Sequence, residues 1–487
     1  MLKSLCLTNL GVDVLINVMV FLRPMDIINL RQTCKTLKLS TMHRIVWVDA
    51  LKQMMDEQRI PEATFPTSSM DREALEHTAL SPAKFSSILE KSADNKIHPF
   101  SIRILPDYLS KQEMSKHGIQ SYVHYSDMIL APGGRFMVTS LDVLAPGAKN
   151  LVQLWDIGVC GHGDKAKVRV QAILESKPIR LLTLAPVPDG SGFYLVSEQF
   201  SNARAIIVHK ISAFGTFPTI TRVNKYAVSS DVISLSISGT RLACICDPST
   251  AVVWDFEAQL SASWDCQIEQ DAQLPLSIHL YADHVLLYRS GKLILWKSPE
   301  LHEEIQGVPP QHRRLSTYSD LFHDQDNEDS DSEAETYLLP HSPWFGILPG
   351  SQFLGISKTP DFGLIPIEHL PSVPNGNIPS ILPTRMMIFR DLDLDLIAGP
   401  ADMSELRVCN RRLLVSALDT DEDMMYIQML PMMVDGSKVD PLPKKQLILR
   451  CRDMTPSYAQ LCAATGRLCI VVGDTDIHII DYLQPPW

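Results

Sequence analysis

Apolar residues near the start of the chain recur at the spacing of an α-helix. A helix is predicted over residues 12–22, and its apolar face would consist of Val14, Leu15, Val18, Phe21 and Leu22. Pro24 is expected to end this helix, because proline has no amide hydrogen and disfavours a helical conformation in the residue before it.

Two further short helices are predicted after Pro24. The second begins at Asp26, whose carboxylate faces the positive end of the helix dipole, and its apolar face would consist of Ile27, Leu30, Cys34 and Leu37. The third covers residues 41–54 and carries Ile45, Val46, Trp47 and Leu51. Three helices of this length cannot bury all of these side chains among themselves, so we expect apolar surface to remain for another protein.

A fourth helix is predicted beyond a polar stretch at residues 56–78. Ser81 is expected to cap it and Pro82 to occupy its first turn, with an inward face formed by Phe85, Ile88 and Leu89. This helix would join the N-terminal helices rigidly to the rest of the chain.

Beyond residue 97 the pattern changes to short apolar runs divided by Gly, Asp, Asn and Pro turns, which predicts strands. The clearest pairs of strands are residues 135–141 with 151–157, 193–198 with 205–211, 241–246 with 251–256, 284–289 with 292–296, 412–418 with 424–430, and 467–472 with 477–482. A less clear pair is 352–357 with 386–390. Pairs recur about every 40 to 55 residues, which is typical of four-stranded propeller blades and predicts about seven of them. A β-sandwich or two smaller β domains is the alternative.

Residues 97–105 alternate between apolar and polar and precede the first full pair of strands. We expect them to pair with the last predicted strand, residues 477–482, because this closure removes two exposed sheet edges.

The N-terminal segment resembles an F-box. The residues that match the motif of this family are Leu10, Asp13, Val14, Leu15, Phe21, Leu22, Pro24, Asp26, Ile27, Leu30, Arg31, Gln32, Cys34 and Lys35, with Val46 and Trp47 as the late apolar pair. Gly11 stands where the family usually has proline. The alternative is an ordinary helical subdomain folded onto the rest of the chain.

The F-box resemblance implies binding to the Skp-type adaptor and, through it, to a cullin-RING ubiquitin ligase. The residues implied in adaptor binding are Leu10, Asp13, Val14, Leu15, Val18, Phe21, Leu22, Pro24, Ile27, Leu30, Cys34, Leu37 and Trp47.

The strand region resembles the WD-repeat family. Strands end in LVQLWDIG, AVVWDFE and LILWKSP, which contain the dipeptides Trp155-Asp156 and Trp254-Asp255 and the residue Trp296, and IHIIDYL places Asp481 in the last pair. In that family the tryptophan packs between blades and the aspartate opens a turn. The Gly-His step that usually comes early in each blade is missing, so the repeats are degenerate.

These patterns predict a multidomain fold class that combines an α part with an all-β part. We expect an F-box helical module of three helices at residues 5–54, a helical linker at 55–95, and a WD-repeat-like β-propeller of about seven blades at 96–487.

An acidic insertion interrupts the repeats at about residues 312–340, where like charges repel one another, so we expect a disordered loop. Ser330 and Ser332 each have a glutamate three residues later, which resembles acid-directed kinase sites, and Ser316 follows Arg313 and Arg314. These serines are candidate phosphorylation sites, with an ordinary solvated loop as the alternative.

Composition excludes several classes of function. A net charge of −12 disfavours nucleic-acid binding, and no apolar run reaches the ~18 residues of a membrane span. The ten cysteines form no Cys-x-x-Cys motif, so we expect reduced thiols and no metal or cofactor. Cys160 and His162 fit a hairpin loop better than a partial metal site. These features predict a cytoplasmic or nuclear protein.

Motifs of serine hydrolases, phosphate-binding loops and zinc proteases are absent from the sequence. We therefore expect a non-catalytic subunit that recognises substrates for an SCF-type ubiquitin ligase, with the propeller holding a protein substrate. The alternatives are an F-box and propeller scaffold outside any ligase and, with less support, a propeller hydrolase.

Overall fold

The computed structural model describes residues 10–58, 60–92, 94–105, 123–143, 150–160, 167–173, 179–200, 204–214, 217–246, 250–265, 276–281, 284–289, 292–298, 300–303, 314–318, 351–358, 361–368, 387–389, 404–409, 412–419, 424–431, 443–449, 456–473 and 475–485. The helices are α1 (Val12–Met19), α2 (Pro24–Arg31), α3 (Lys35–Ser40), α4 (Arg44–Glu57) and α5 (Arg72–Lys91), with a 3₁₀ helix at Glu62–Thr64.

The first helices differ from the prediction in their ends. Helix α1 stops at Met19, and Pro24 begins α2 instead of ending α1. Proline fits there because first-turn amides have no acceptor within the helix. The predicted second helix is divided, because Cys34 is extended and forms the N-cap of α3. The predicted third helix corresponds to α4, which begins at Arg44.

The predicted fourth helix is longer than the sequence suggested. Helix α5 begins at Arg72, and the carboxylate of Asp71 caps it by accepting a 2.8 Å hydrogen bond from the amide of Ala74. Ser81 is therefore not a cap, and its hydroxyl donates to the carbonyl of His77 inside the helix at 2.8 Å. Pro82 also lies inside the helix. The predicted inward side chains Phe85 and Leu89 are buried.

The described strands form seven sheets, numbered 1 to 7 along the chain. Sheet 1 contains β3 (Val123–Leu130), β4 (Phe136–Val143), β5 (Asn150–Asp156) and β6 (Lys167–Ile173); sheet 2 contains β7 (Ile179–Pro186), β8 (Phe193–Gln199), β9 (Ala205–Ser212) and β10 (Thr219–Ala227); sheet 3 contains β11 (Ser234–Ser238), β12 (Arg241–Ile245), β13 (Thr250–Asp255), β14 (Leu260–Asp265) and β18 (His302–Glu303); sheet 4 contains β15 (Leu276–Tyr281), β16 (His284–Arg289), β17 (Lys292–Lys297) and β19 (Arg314–Tyr318).

The later sheets include two short strands from the start of the strand region. Sheet 5 contains β20 (Ser351–Lys358), β21 (Asp361–Glu368) and β22 (Met387–Phe389); sheet 6 contains β23 (Ser404–Cys409), β24 (Arg412–Asp419), β25 (Met424–Pro431), β26 (Lys445–Ile448) and β1 (Lys96–Ile97); sheet 7 contains β27 (Pro456–Cys462), β28 (Arg467–Val472), β29 (Asp476–Asp481) and β2 (Ser101–Ile104).

The six clear strand pairs predicted from the sequence are all present as antiparallel neighbours in the sheets. The less clear pair was wrong, because β21 lies between the strands that contain residues 352–357 and 387–389. Strands that follow one another along the chain lie side by side in each sheet, as in propeller blades, and only the edge strands β1 of sheet 6 and β2 of sheet 7 come from an earlier part of the described chain. The number of blades stays a prediction.

The predicted closure by residues 97–105 is confirmed for one part of that segment. Strand β2 pairs antiparallel with β29, and Ser101 lies opposite Asp481. The preceding strand β1 instead pairs parallel with β26, at the outer edge of sheet 6. One N-terminal segment therefore covers the outer edges of two successive sheets.

Apolar side chains join the sheets in sequence. Buried clusters connect sheet 7 with sheet 1, sheet 1 with 2, sheet 2 with 3, sheet 3 with 4, and sheet 6 with 7. Polar side chains of the inner strands add hydrogen bonds between neighbours. The carboxylate of Asp127 accepts from the amide of Leu181 at 2.8 Å, and the side-chain oxygen of Gln460 accepts from the amide of Leu130 at 2.6 Å.

A buried ion pair lies where the closing strand meets the first and last sheets. The guanidinium of Arg467 is fully buried and donates to the carboxylate of Asp481 at 2.6 and 3.1 Å. It also donates to the backbone carbonyls of Gly134 and Gly158 at 2.7 and 2.6 Å. Arg103 of the closing strand approaches the same carboxylate at 3.4 Å. We call Arg467 and Asp481 the closure pair.

The closure pair makes stability depend on pH. Burial alone raises the pKa of a carboxyl group, but the guanidinium groups of Arg467 and Arg103 hold the pKa of Asp481 below its ordinary value. Because the folded-state pKa is the lower one, the stabilisation is complete above the unfolded pKa of about 3.9 and is lost as pH falls through the folded pKa.

We therefore expect the free energy of unfolding to decrease on acidification below about pH 4, and to decrease less in an Asp481→Asn variant. Urea titrations of both proteins from about pH 6 down to about pH 3 would measure this difference. Identical pH slopes for the two proteins would contradict the role given to this carboxylate.

Helix α5 connects the N-terminal helices with the sheets. Its first half, including Leu75, belongs to the core that contains α1, α2 and α4, whereas Phe85 and Leu89 belong to the core shared by sheets 6 and 7. Arg135 adds a contact on the same side by donating to the carbonyl of Thr64 at 2.8 Å. The helices therefore pack on the side of sheet 1 that carries the β3–β4 turn.

The fit between that turn and the helices is testable at Gly133. This residue has a φ of +85°, and an added Cβ would lie 2.8 Å from Thr64 Cγ2 and 2.9 Å from Ile60 Cγ2. Gly190 has a similar φ of +71°, but nothing lies within 4 Å of an added Cβ. We expect Gly133→Ala to lower the free energy of unfolding by about 1–3 kcal/mol more than Gly190→Ala, as measured by urea titration. Equal losses of unfolding free energy in the two variants would show that the helices do not pack tightly against this turn.

Candidate protein-binding surface on the N-terminal helices

Helix α1 and the turn after it carry two adjacent apolar stripes, one buried and the other exposed. Leu15 and Met19 are each 1% exposed and lie in the N-terminal core. Val14 and Val18 of α1, and Phe21 in the turn directly after it, follow the i, i+4, i+7 spacing and are 46%, 37% and 84% exposed. We call these three residues the α1 stripe.

More apolar side chains are exposed in the neighbouring segments. Six further side chains are each at least 40% exposed: Val12, Val20, Met25, Leu39, Met42 and Ile45. Single exposed apolar residues are ordinary on protein surfaces, but a concentration of nine between residues 12 and 45 indicates a protein-binding surface.

Arg31 holds the helices beneath this surface in place. Its guanidinium donates to both carboxylate oxygens of Glu76 on α5 at 2.7 and 2.9 Å, and lies 5.2 Å from the ring centre of Trp47. The Trp47 indole donates to the carbonyl of Thr41 at 2.8 Å. These contacts join α2, α4 and α5, and α1 packs against the same core through Leu15 and Met19.

The structure divides the residues that the sequence assigned to adaptor binding. Four of them have side chains in the chain's own core and are 5% exposed or less: Leu15, Ile27, Leu37 and Trp47. Five are partly buried: Leu10, Leu22, Pro24, Leu30 and Cys34. Four are exposed: Asp13, Val14, Val18 and Phe21. The part of each residue in adaptor binding stays a prediction, but the first four act as packing groups in this structure.

Sequence reasoning did not single out Leu39 and Met42, which are 70% and 40% exposed. The available signal was weak, because Leu39 falls between the predicted second and third helices and Met42 falls in the first turn of the predicted third helix. Once α3 is seen to end at Ser40, both residues lie at its C-terminal turn, on the surface.

The dipeptides that resemble WD repeats are part of the sheet packing. Trp155 is buried, and its indole donates to the hydroxyl of Thr139 at 3.1 Å. Asp156 accepts two hydrogen bonds from Arg135, at 3.1 and 2.9 Å. The same aspartate position pairs with arginine in two other sheets, as Asp255 with Arg241 and Asp481 with Arg467. Sequence reasoning missed these arginines, although each begins or immediately precedes a strand.

The remaining candidates from the sequence lie largely outside the described residues. This is true of Ser330, Ser332 and His162 and of most of the acidic insertion at 312–340, whereas the backbone of Ser316 belongs to β19 and lies opposite Leu295. Cys160 is buried beside Asp481, and burial raises the pKa of its thiol. No group of metal-ligating side chains occurs among the described residues. Nor does the described part of the chain contain a helix long and apolar enough to cross a membrane.

Comparison with known proteins identifies one family in the N-terminal part of the chain. The F-box domain family matches residues 7–48. No curated protein is significantly similar to the chain in sequence.

Several solved structures resemble most of this chain. The β-propeller domain of Cps50 (Swd1) from Myceliophteria thermophila is 12% identical, and the match covers 78% of this chain and 99% of that one, with a TM-score of 0.41. Sqt1 from Chaetomium thermophilum, bound to the N-terminus of ribosomal protein L10, is 11% identical over 74% and 96%, with a TM-score of 0.39. A humanized mutant of Chaetomium thermophilum Polycomb Repressive Complex 2 is 9% identical over 78% and 97%, with a TM-score of 0.43.

Because these scores are low, the fold assignment depends on the strand order and pairing described above. Residues 7–48 at the start of the chain match the F-box domain, and the strands that follow have the fold of a β-propeller. An F-box suggests binding to the Skp-type adaptor of an SCF ligase, and a propeller suggests binding to proteins. Both kinds of domain are typically non-catalytic.

Proposed function

We propose that this protein is a substrate-recognition subunit of an SCF-type cullin-RING ubiquitin ligase. The observation that carries the proposal is the α1 stripe, because it lies within the matched F-box and is exposed although its three side chains are apolar. Burial of such a stripe against an adaptor would give a favourable free energy of about 25 cal/mol per Å² of apolar area removed from water.

The propeller would hold the protein substrate, and the chain itself would supply no chemistry. Its contribution to ubiquitin transfer would be to raise the effective concentration of the substrate near the conjugating enzyme and to orient it. Helix α5 supports this role, because it packs in both the N-terminal core and the core of sheets 6 and 7. A receptor in which α5 connects the two cores in this way would keep a fixed distance between adaptor and substrate.

The experiment that tests the proposal has two stages. Purified full-length chain is first titrated with a Skp-type adaptor by calorimetry, and the complex is then tested for assembly with a cullin by gel filtration. The proposal expects a stoichiometric complex that recruits the cullin. If no adaptor binds at micromolar concentrations, the protein is not an SCF subunit.

A scaffold outside any ligase is the second candidate. It would bind the adaptor but would not bring the cullin into the complex, so the second stage separates it from a substrate receptor. Stabilisation of partner proteins on deletion of the gene would then support the receptor. Our proposal for its location is the cytoplasm or nucleus, where such ligases act.

A further inference from the structure

Two guanidinium groups lie close to one aromatic ring at an end of sheet 2. The guanidinium carbons of Arg180 and Arg204 lie 5.6 and 5.9 Å from the centre of the Phe200 ring. Ile233, at the entry to sheet 3, is 48% exposed, and the preceding residue, Val232, accepts a hydrogen bond from Arg180 at 3.2 Å. We call Arg180, Phe200, Arg204 and Ile233 the arginine surface.

The arginine surface lies on the side of the sheets away from the F-box. The F-box side carries the β3–β4 turn, and contact of the Phe136 ring with those of Phe193 and Phe214 places the β7–β8 turn on that side as well. Arg180 lies at the start of β7 and Phe200 directly follows β8, so both are at the opposite strand ends. A partner bound there would not meet an adaptor on the α1 stripe.

Arg180 is held in position but keeps hydrogen-bonding capacity. Its Nη2 donates to Glu198 at 2.7 Å, and Glu198 is fully buried and accepts from the amide of Val232 at 3.0 Å. Within the described part of the chain, Nε and Nη1 of Arg180 have no acceptor, and its side chain is 46% exposed. A guanidinium fixed at one nitrogen and open at the others is arranged to receive an acidic group.

The local charge favours a single carboxylate. Arg180, Arg204 and Lys225 contribute three positive charges, and Glu198 and Asp231, which pair with the two arginines, contribute two negative ones. The excess among these five side chains is one positive charge, in a protein of net charge −12. A carboxylate would balance this excess, whereas a dianionic phosphate would also be repelled by the two carboxylates.

We propose that the arginine surface binds a protein segment in which an aspartate or glutamate lies next to an apolar side chain. The carboxylate would pair with Arg180, and the apolar side chain would pack against Phe200 and Ile233. Arginine and aromatic residues are enriched where binding energy is concentrated in interfaces. The inference rests on the proposed function, since it identifies the surface by which the propeller would select a substrate.

The test uses the full-length chain and a display library of random twelve-residue peptides. Selected peptides are synthesised, and their affinities are measured by fluorescence polarisation for the wild type and for an R180Q/R204Q variant. Glutamine can still hydrogen bond with Glu198, so this variant keeps part of the local network, and thermal melting checks its fold. Lys167→Gln, a loss of one exposed positive charge on β6, is the control.

We expect selected peptides to combine Asp or Glu with a neighbouring apolar residue. Their affinity should fall at least ~10-fold in R180Q/R204Q, stay unchanged in Lys167→Gln, and not increase when phosphoserine replaces the acid. Peptides without acidic residues, equal binding to the folded variant, or tighter binding of the phosphopeptide would each overturn the inference. Adaptor affinity of the same variant, measured separately, should equal that of the wild type. If the wild type itself bound no adaptor, the proposed function would fail while the peptide result remained.

Discussion

Replacing Asp481 with asparagine is expected to lower the free energy of unfolding by about 3–5 kcal/mol. The substitution keeps the shape of the side chain but removes the charge that compensates Arg467, which is fully buried. Desolvating an unpaired guanidinium is far more costly than losing one neutral hydrogen bond. Urea titration followed by tryptophan fluorescence would measure the loss.

Asp255→Asn is the matched control for this prediction. Asp255 ends β13 as Asp481 ends β29, but its Arg241 partner is 3.8 Å away and 44% exposed. We expect this control to lose at most about 1 kcal/mol, because water screens the exposed guanidinium of Arg241. Similar losses in the two variants would show that the closure pair has no special role.

The double variant R467M/D481L should recover part of the stability lost in Asp481→Asn. It removes both charges, so no uncompensated ion remains in the core. Recovery should be incomplete, because the carbonyls of Gly134 and Gly158 lose the donor that Arg467 provides.

Replacing Phe21 with alanine is expected to weaken adaptor binding by at least about 2 kcal/mol, or roughly 30-fold. Phe21 is 84% exposed in the free chain, so its ring contributes little to folding and is available to a partner. Calorimetric titration with the adaptor would measure the affinity, and urea titration should show a change in stability within about 0.5 kcal/mol.

Phe217→Ala provides an equivalent change away from the F-box helices. Phe217 is 87% exposed and lies between β9 and β10, so its truncation removes the same chemical group from the propeller. Adaptor affinity should not change in this variant. Unaltered affinity in Phe21→Ala would exclude the α1 stripe as the docking surface.

Leu15 is a poor choice for the same experiment, although the sequence marks it equally. Its side chain is 1% exposed, and truncating a buried leucine costs about 2–5 kcal/mol of stability. Any loss of binding in Leu15→Ala would therefore combine unfolding with loss of contact. Val14, the adjacent residue and 46% exposed, is the appropriate companion to Phe21.

Periodicity predicted the apolar face of α1 but could not separate its two stripes. Leu15 and Val14 are neighbours on the helix surface, and both fit an amphipathic pattern. Which of them is buried depends on where Trp47 and Leu51 of α4 pack, and this is set by the tertiary structure. The same limit applies to α5, because Pro82 suggested a helix start although the Asp71 cap lies eleven residues earlier.

Strand prediction succeeded where turns and alternation were regular, and it failed at β21. That strand contains Gly363 and Pro366, both of which weaken a strand pattern, so residues 361–368 were overlooked and their neighbours were paired directly. The closing strand was predictable because an open propeller leaves two unpaired edges, and only the parallel pairing of β1 was unexpected.

The sequence by itself determined the helical character of the N-terminal segment, the change from helical to strand periodicity, the main strand pairs and the strand that closes the sheets. These features depend on local spacing and on the need to satisfy backbone hydrogen bonds, both of which can be recognised from residue order. Only the tertiary structure decided that Arg467 reaches carbonyls 333 and 309 residues away in the chain, and that Arg180 and Arg204 meet at Phe200. Such contacts depend on how separate elements pack, because burial and charge pairing are set by neighbours in space and not by neighbours in sequence.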